Sequence, residues 1–142
     1  MRTACELCAL LVGDYENDRA LLNEIFRQAG WRLIGAHNRE RALKVLDRSQ
    51  VHVVIANSEI PGWHWRRVLE DLRRRACPPQ LIVTSRTADE YLWSDVLNCG
   101  GYDVLAQPFR HEEIERVIAS ARRHYDFPPA RSETRALPAS AA

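Results

Sequence analysis

The 142 residues read as an α/β domain: a parallel five-stranded sheet covered by helices on both faces. Three observations point there. Short apolar runs alternate with segments of helical periodicity, five times in order. The first run, Ala9-Leu10-Leu11-Val12, is apolar throughout instead of at every second residue, which is the pattern of a strand buried on both faces. The length, 46% hydrophobic and 27% charged residues suit one ordinary globular domain with its own core.

The elements follow in order. Residues 9–12 are a continuous apolar strand, ended by Gly13-Asp14. Leu21, Leu22, Ile25, Phe26 and Ala29 recur at helical spacing, and Gly30 stops that helix. Residues 31–36 form a second strand, and residues 39–48 a second helix with Ala42, Leu43 and Leu46 on one face. Residues 51–56 are β-branched and apolar, the clearest strand. Pro61-Gly62 is a turn signal, and Val68, Leu69 and Leu72 mark a third helix that ends before Pro78-Pro79. Residues 81–84 give a fourth strand. Leu92, Trp93, Val96 and Leu97 give a fourth helix, stopped at Gly100-Gly101. Residues 103–106 are a short fifth strand, and Ile114, Val117, Ile118 and Ala121 mark the last helix. The domain therefore covers residues 1–126. Residues 127–142 carry three prolines and almost no large apolar side chain, and are expected to be a disordered tail.

Charge and cysteines narrow the function. Twenty Lys+Arg against nineteen Asp+Glu leave a net charge of +1, which argues against a nucleic-acid binder held by bulk charge. No apolar run approaches the roughly 18 residues of a membrane span. The charged N-terminus resembles no signal peptide, so a cytoplasmic protein is expected. Cys5 and Cys8 form a lone CxxC without the second close pair a zinc site needs, since Cys77 and Cys99 stand 22 residues apart. The four are read as reduced thiols acting as small hydrophobes.

In a sheet of this kind the functional groups lie on loops beyond the carboxyl ends of the strands. Those loops carry Gly13, Asp14 and Glu16; Asn57, Ser58 and Glu59, followed by Ile60-Pro61-Gly62; Thr84 and Ser85; and Gln107-Pro108-Phe109. Five βα units, a Pro-Gly four residues after Asn57, the Gln-Pro-Phe after the fifth strand and Gly100-Gly101-Tyr102-Asp103 before it are similar to the receiver domain of bacterial response regulators. The resemblance covers about residues 8–125. It implies the flavodoxin-like, CheY-like fold with strand order 2-1-3-4-5.

The resemblance also implies a chemistry, phosphoryl transfer from a histidine kinase to an aspartate with Mg²⁺ held by an acidic pair. The pair falls on Gly13 and Asp14, the acceptor on Asn57, the switch hydroxyl on Thr84, the lysine on Gln107 and the switch aromatic on Val104. An amide is no nucleophile toward a phosphoryl donor. Gly13 offers Mg²⁺ no side-chain oxygen, and Gln107 cannot neutralise phosphoryl charge as lysine would. Losing one member of an Asp–Lys pair alone would strand a charge. Here both positions are amides, which could hydrogen-bond to each other without net charge change.

The expectation is a stand-alone pseudo-receiver: no enzyme, no cofactor, phosphorylation-independent, acting through a protein partner in two-component or phosphorelay signalling, without nucleic acid or membrane. No output domain is expected, because the tail is too short for one. A homodimer is compatible. The resemblance places the partner face on the fourth helix, fifth strand and fifth helix. One rival reading is a working receiver with another acceptor or a residual Mg²⁺ site on Asp14 and Glu59; the plainer alternative has Asp14 capping the first helix region and Glu59 in solvent. A second rival is a small-ligand sensor using the loop crevice. Trp65, Tyr91 and Trp93 are the candidate partner-binding aromatics; packing against the sheet is their plainer alternative. The arginine runs at 66–67, 73–75 and 122–123 read as solvated helix faces. His64, His111 and His124 have no metal-ligand spacing, and no Gly-rich phosphate loop follows the first strand.

Overall fold

Residues 7–127 are described by the computed structural model. Cys5 and all of the expected tail except Phe127 lie outside the described residues. The chain runs β1 (Cys8–Val12), α1 (Arg19–Ala29), β2 (Arg32–Ala36), α2 (Arg39–Arg48) and β3 (Val53–Asn57). A two-strand hairpin follows, β4 (Glu59–Ile60) and β5 (Trp63–His64), then α3 (Trp65–Arg73). The fold ends with β6 (Gln80–Ser85), α4 (Glu90–Cys99), β7 (Asp103–Ala106) and α5 (His111–Asp126).

The main sheet is parallel throughout, in the order β2-β1-β3-β6-β7. With the hairpin counted apart, this is the expected 2-1-3-4-5 order. Strand β1 lies between β2 and β3 and is buried along its whole length, which is why its sequence shows no alternation. Cys8, Leu10 and Val12 face one layer with Ala42 of α2, Val68, Leu69 and Leu72 of α3, and Val96 of α4. Ala9 and Leu11 face the other, with Leu22, Ile25 and Phe26 of α1 and Ile114, Val117, Ile118 and Ala121 of α5. The helix stripes read from the sequence are these faces.

Local signals explain the helix ends. Asn38 accepts from Arg41 N at 2.9 Å and starts α2; Asp89 accepts from Leu92 N at 2.9 Å and starts α4. Gly30 and Gly100 end α1 and α4 in the left-handed conformation. The residue before α1, Asp18, makes no side-chain cap; its carboxylate is used elsewhere. Among the described residues, no helix is long and apolar enough to cross a membrane.

The hairpin corrects one expectation. Trp65 was expected on a partner surface, but it is only 3% exposed. The reason is local. Strand β5 turns Trp63 inward, His64 outward and Trp65 inward again, so both indoles join the core under α3. His64 instead caps α3, accepting from Arg66 N at 3.1 Å, and the Arg66 guanidinium lies 4.8 Å from the Trp65 ring centre.

At the opposite, amino edge of the sheet His52 is a buried tie. Its Nδ1 accepts from Cys8 N at 3.0 Å, and its ring meets Tyr125 of α5 edge-on. Burial, aided by Arg122, holds the imidazole below its ordinary value of 6.5. The unfolded chain then binds more protons than the fold as pH drops below 6.5. Stability is therefore full above that value and falls below it, with a slope of at most about 1.4 kcal/mol per pH unit. Urea melts at about pH 7.5 and about pH 5.5 check this. His52→Gln, which keeps an acceptor without a titrating group, should flatten the difference, and an unchanged pH profile in that variant would refute the assignment.

Candidate functional site

The carboxyl ends of β1, β3, β6 and β7 open on a crevice of about 500 Å³, lined by Gly13, Asp14, Asn57, Glu59, Ser85 and Gln107 among others. The hairpin supplies its roof through Glu59, Ile60 and Pro61. The backbone pins the roof to the sheet, since Ser58 N donates to Thr84 O at 2.8 Å.

On the floor, five groups form one unbroken chain. Glu59 N donates to Asn57 Oδ1 at 3.0 Å, and Asn57 Nδ2 donates to Gln107 Oε1 at 3.2 Å. Gln107 Nε2 donates to Asp18 Oδ2 at 2.9 Å, and Phe109 N donates to the other Asp18 oxygen at 3.3 Å. A backbone N–H can only donate and a carboxylate can only accept. The two ends therefore fix how both amides point. The two amides do meet, as their pairing in the sequence suggested. The site is not without charge, however, because the chain ends on a carboxylate that is 5% exposed.

Asp18 is held there by the start of α1, and its partners lie 89 and 91 residues further along, at the β7–α5 junction. Among the described residues it is the only acidic one that is buried. Nothing beside it in the sequence marks this role, because both partners are remote along the chain. Tyr15 was missed as well. Its ring is 2% exposed and stacks on Phe109, and its hydroxyl is 2.7 Å from Thr84 Oγ1. Burial pushes the phenol well above its ordinary value; the Thr84 hydrogen bond offsets part of this and the charge of Asp18 adds to it. Thr84, 0% exposed, is thus tied to the β1–α1 loop. Val104 is buried on the opposite face of the sheet, in the layer of α2, α3 and α4.

The metal ligands implied by the resemblance do not fit these residues. Asp14 and Glu59 are both exposed, and Asp14 spends Oδ1 on Glu16 N at 3.2 Å. It closes a turn, while α1 begins only after Asp18. Glu59 uses its backbone N–H to hold Asn57 Oδ1. Gly13 contributes no side chain. Among the described residues, no group of three His, Cys, Asp or Glu is placed to hold a metal ion, whereas Mg²⁺ asks for six oxygens at near-octahedral angles. On α4, Tyr91 and Trp93 are 82% and 51% exposed.

Residues 9–119 match the response regulator receiver domain family, and the chain belongs to it. It is 33% identical over 118 residues to the uncharacterized transcriptional regulatory protein YrkP of Bacillus subtilis (strain 168), covering 81% of this chain and 49% of that protein. It is 31% identical over 119 residues to the transcriptional regulatory protein CpxR of Escherichia coli (strain K12), covering 82% of this chain and 50% of that one. The chain thus spans about half the length of these relatives. Among solved structures, the signal receiver domain of a putative Luxo repressor protein from Vibrio parahaemolyticus superposes with a TM-score of 0.76. It is 16% identical, with 85% of this chain and 93% of that one covered. The signal receiver domain of an HD domain-containing protein from Pseudomonas fluorescens Pf-5 gives 0.74 at 21% identity, covering 85% and 98%. At these identities the superpositions speak for the fold. The chain is a receiver domain of the kind used in two-component signalling.

Proposed function

We propose that this receiver domain signals without being phosphorylated: it is a pseudo-receiver that acts by binding a protein partner and has no catalysis of its own. One observation carries the reading. The position that the family resemblance assigns to the phosphoacceptor holds Asn57, and both ends of its amide are engaged, by Glu59 N and by Gln107 Oε1. Acyl-phosphate formation needs a carboxylate oxygen with a free lone pair as nucleophile. The buried, Tyr15-bound Thr84 and the poor fit to Mg²⁺ support the same reading.

The partner is a signalling protein such as a kinase or an output protein, met in the cytoplasm, with a second copy of this chain as the other candidate. Tyr91 and Trp93 of α4 offer it exposed aromatic area. The net charge of +1 favours no nucleic acid.

The test is the intact mass of the protein after incubation with acetyl phosphate and Mg²⁺. The expected result is no added phosphoryl group. A stable gain of one would overturn the reading, and mapping the modified residue would show which group accepts it.

A further inference from the structure

The hydrogen-bond chain on the crevice floor has a direction, and its far end determines that direction. Read from Glu59 N, each group donates to the next until Asp18 accepts without giving anything back. Two amides in series fit between a pure donor and a pure acceptor. One amide and one carboxylate do not. With a carboxylate at 57, its second oxygen faces Gln107 Oε1. Turning the Gln107 amide over mends that contact but sets Oε1 against Asp18 Oδ2. One acceptor–acceptor clash remains either way, and an unmatched buried polar contact is costly.

We propose that Asp18 is the positioning residue that excludes an ionised carboxylate from position 57, so that the site keeps its one buried carboxylate at the wrong end for phosphoryl transfer. The inference rests on the reading of the site as a pseudo-receiver and gives its physical cause. Asn57 and Gln107 are then consequences of Asp18. With an acceptor at 18, residue 107 must donate toward it and residue 57 must donate toward residue 107.

Exchange of the two residues reverses the chain. In Asp18→Asn/Asn57→Asp the carboxylate at 57 accepts from Glu59 N and from Gln107 Nε2. The Gln107 carbonyl accepts from the introduced amide at 18, whose oxygen still accepts from Phe109 N. Every group is matched again, and the net charge is unchanged. Each single substitution leaves a mismatch.

The experiment compares the wild type, Asn57→Asp, Asp18→Asn and the exchange in the full chain, by thermal melting and by NMR titration of the carboxyl at 57. Both single variants are expected to melt below wild type, and the exchange above either. The carboxyl at 57 is expected to be at least tenfold more acidic in the exchange than in Asn57→Asp, a shift that general stabilisation would not produce. If Asn57→Asp does not fold, a folded exchange whose carboxyl titrates below the ordinary aspartate range supports the proposal. An exchange that melts no higher than the more stable single variant, or fails to fold, overturns it; so does an unshifted carboxyl. No phosphoryl donor is used. Phosphorylation of the wild type would therefore sink the pseudo-receiver reading while leaving this result to stand or fall alone.

Discussion

Trp63→Ala is expected to destabilise the domain by about 3–5 kcal/mol, the range for truncating a buried tryptophan. The side chain is 2% exposed and anchors the hairpin that roofs the crevice. A two-residue strand pair has too few backbone bonds to hold itself in water, so its position depends on that anchor. The indole Nε1 also donates to Asp71 Oδ2 at 2.8 Å, beside Arg39 Nε at 3.0 Å. Burial alone would raise the Asp71 carboxyl, but the hydrogen bonds of Arg39 and Trp63 outweigh it and hold the group below its ordinary value. Trp63→Phe separates the two contributions: it keeps most of the apolar volume and loses the N–H, at about 1.5–3 kcal/mol for a hydrogen bond to a charged group. Denaturant melts of both variants measure the two losses. Equal losses would mean that packing of the ring contributes nothing to the roof.

The same hairpin shows where the sequence stopped being legible. The central strands β1, β3 and β6 were readable because burial on both faces leaves continuous apolar runs, and the helices because Ala42, Val68 and Ile118 lie on stripes that meet those faces. Strands of two residues are too short to show a period. The inward–outward–inward order of Trp63, His64 and Trp65 lies in the sequence, but beside a Pro-Gly turn Trp65 also reads as a candidate partner-binding aromatic. The crevice divides in the same way. Asn57 and Gln107 stood out because the family pattern marks those positions. Tyr15 and Asp18 stayed hidden because their roles come from partners 69 to 91 residues away. Tertiary contacts decided both, and the residues next to them in the sequence carry little trace of them.

Gly13→Asp, which would rebuild the acidic pair of a metal-binding receiver, is expected to cost about 2–3 kcal/mol and to yield no Mg²⁺ site. Gly13 has φ +119, a conformation L residues rarely adopt. A Cβ built there meets Asn57 Cβ at 3.3 Å, the Tyr15 ring at 3.5 Å and Ile60 Cγ1 at 3.7 Å. Backbone strain thus comes with a tight approach to the floor at Asn57, while the Tyr15 and Ile60 distances are ordinary van der Waals contact. Relief would require turning the β1–α1 loop, and that loop holds Tyr15 against Thr84 and Asp18 against Gln107. Gly13→Ala isolates the backbone and Cβ share. It should show most of the loss, because the strain arises at the first side-chain atom and not at the carboxylate. Thermal melts of both variants with and without millimolar Mg²⁺ are the measurement. If Mg²⁺ raised the melting temperature of Gly13→Asp, the loop would have relaxed into a metal-binding form and the site would not be closed by its backbone. The expected absence of any shift places the barrier to metal binding in the path of the chain after β1, as well as in the residues that replaced the acids.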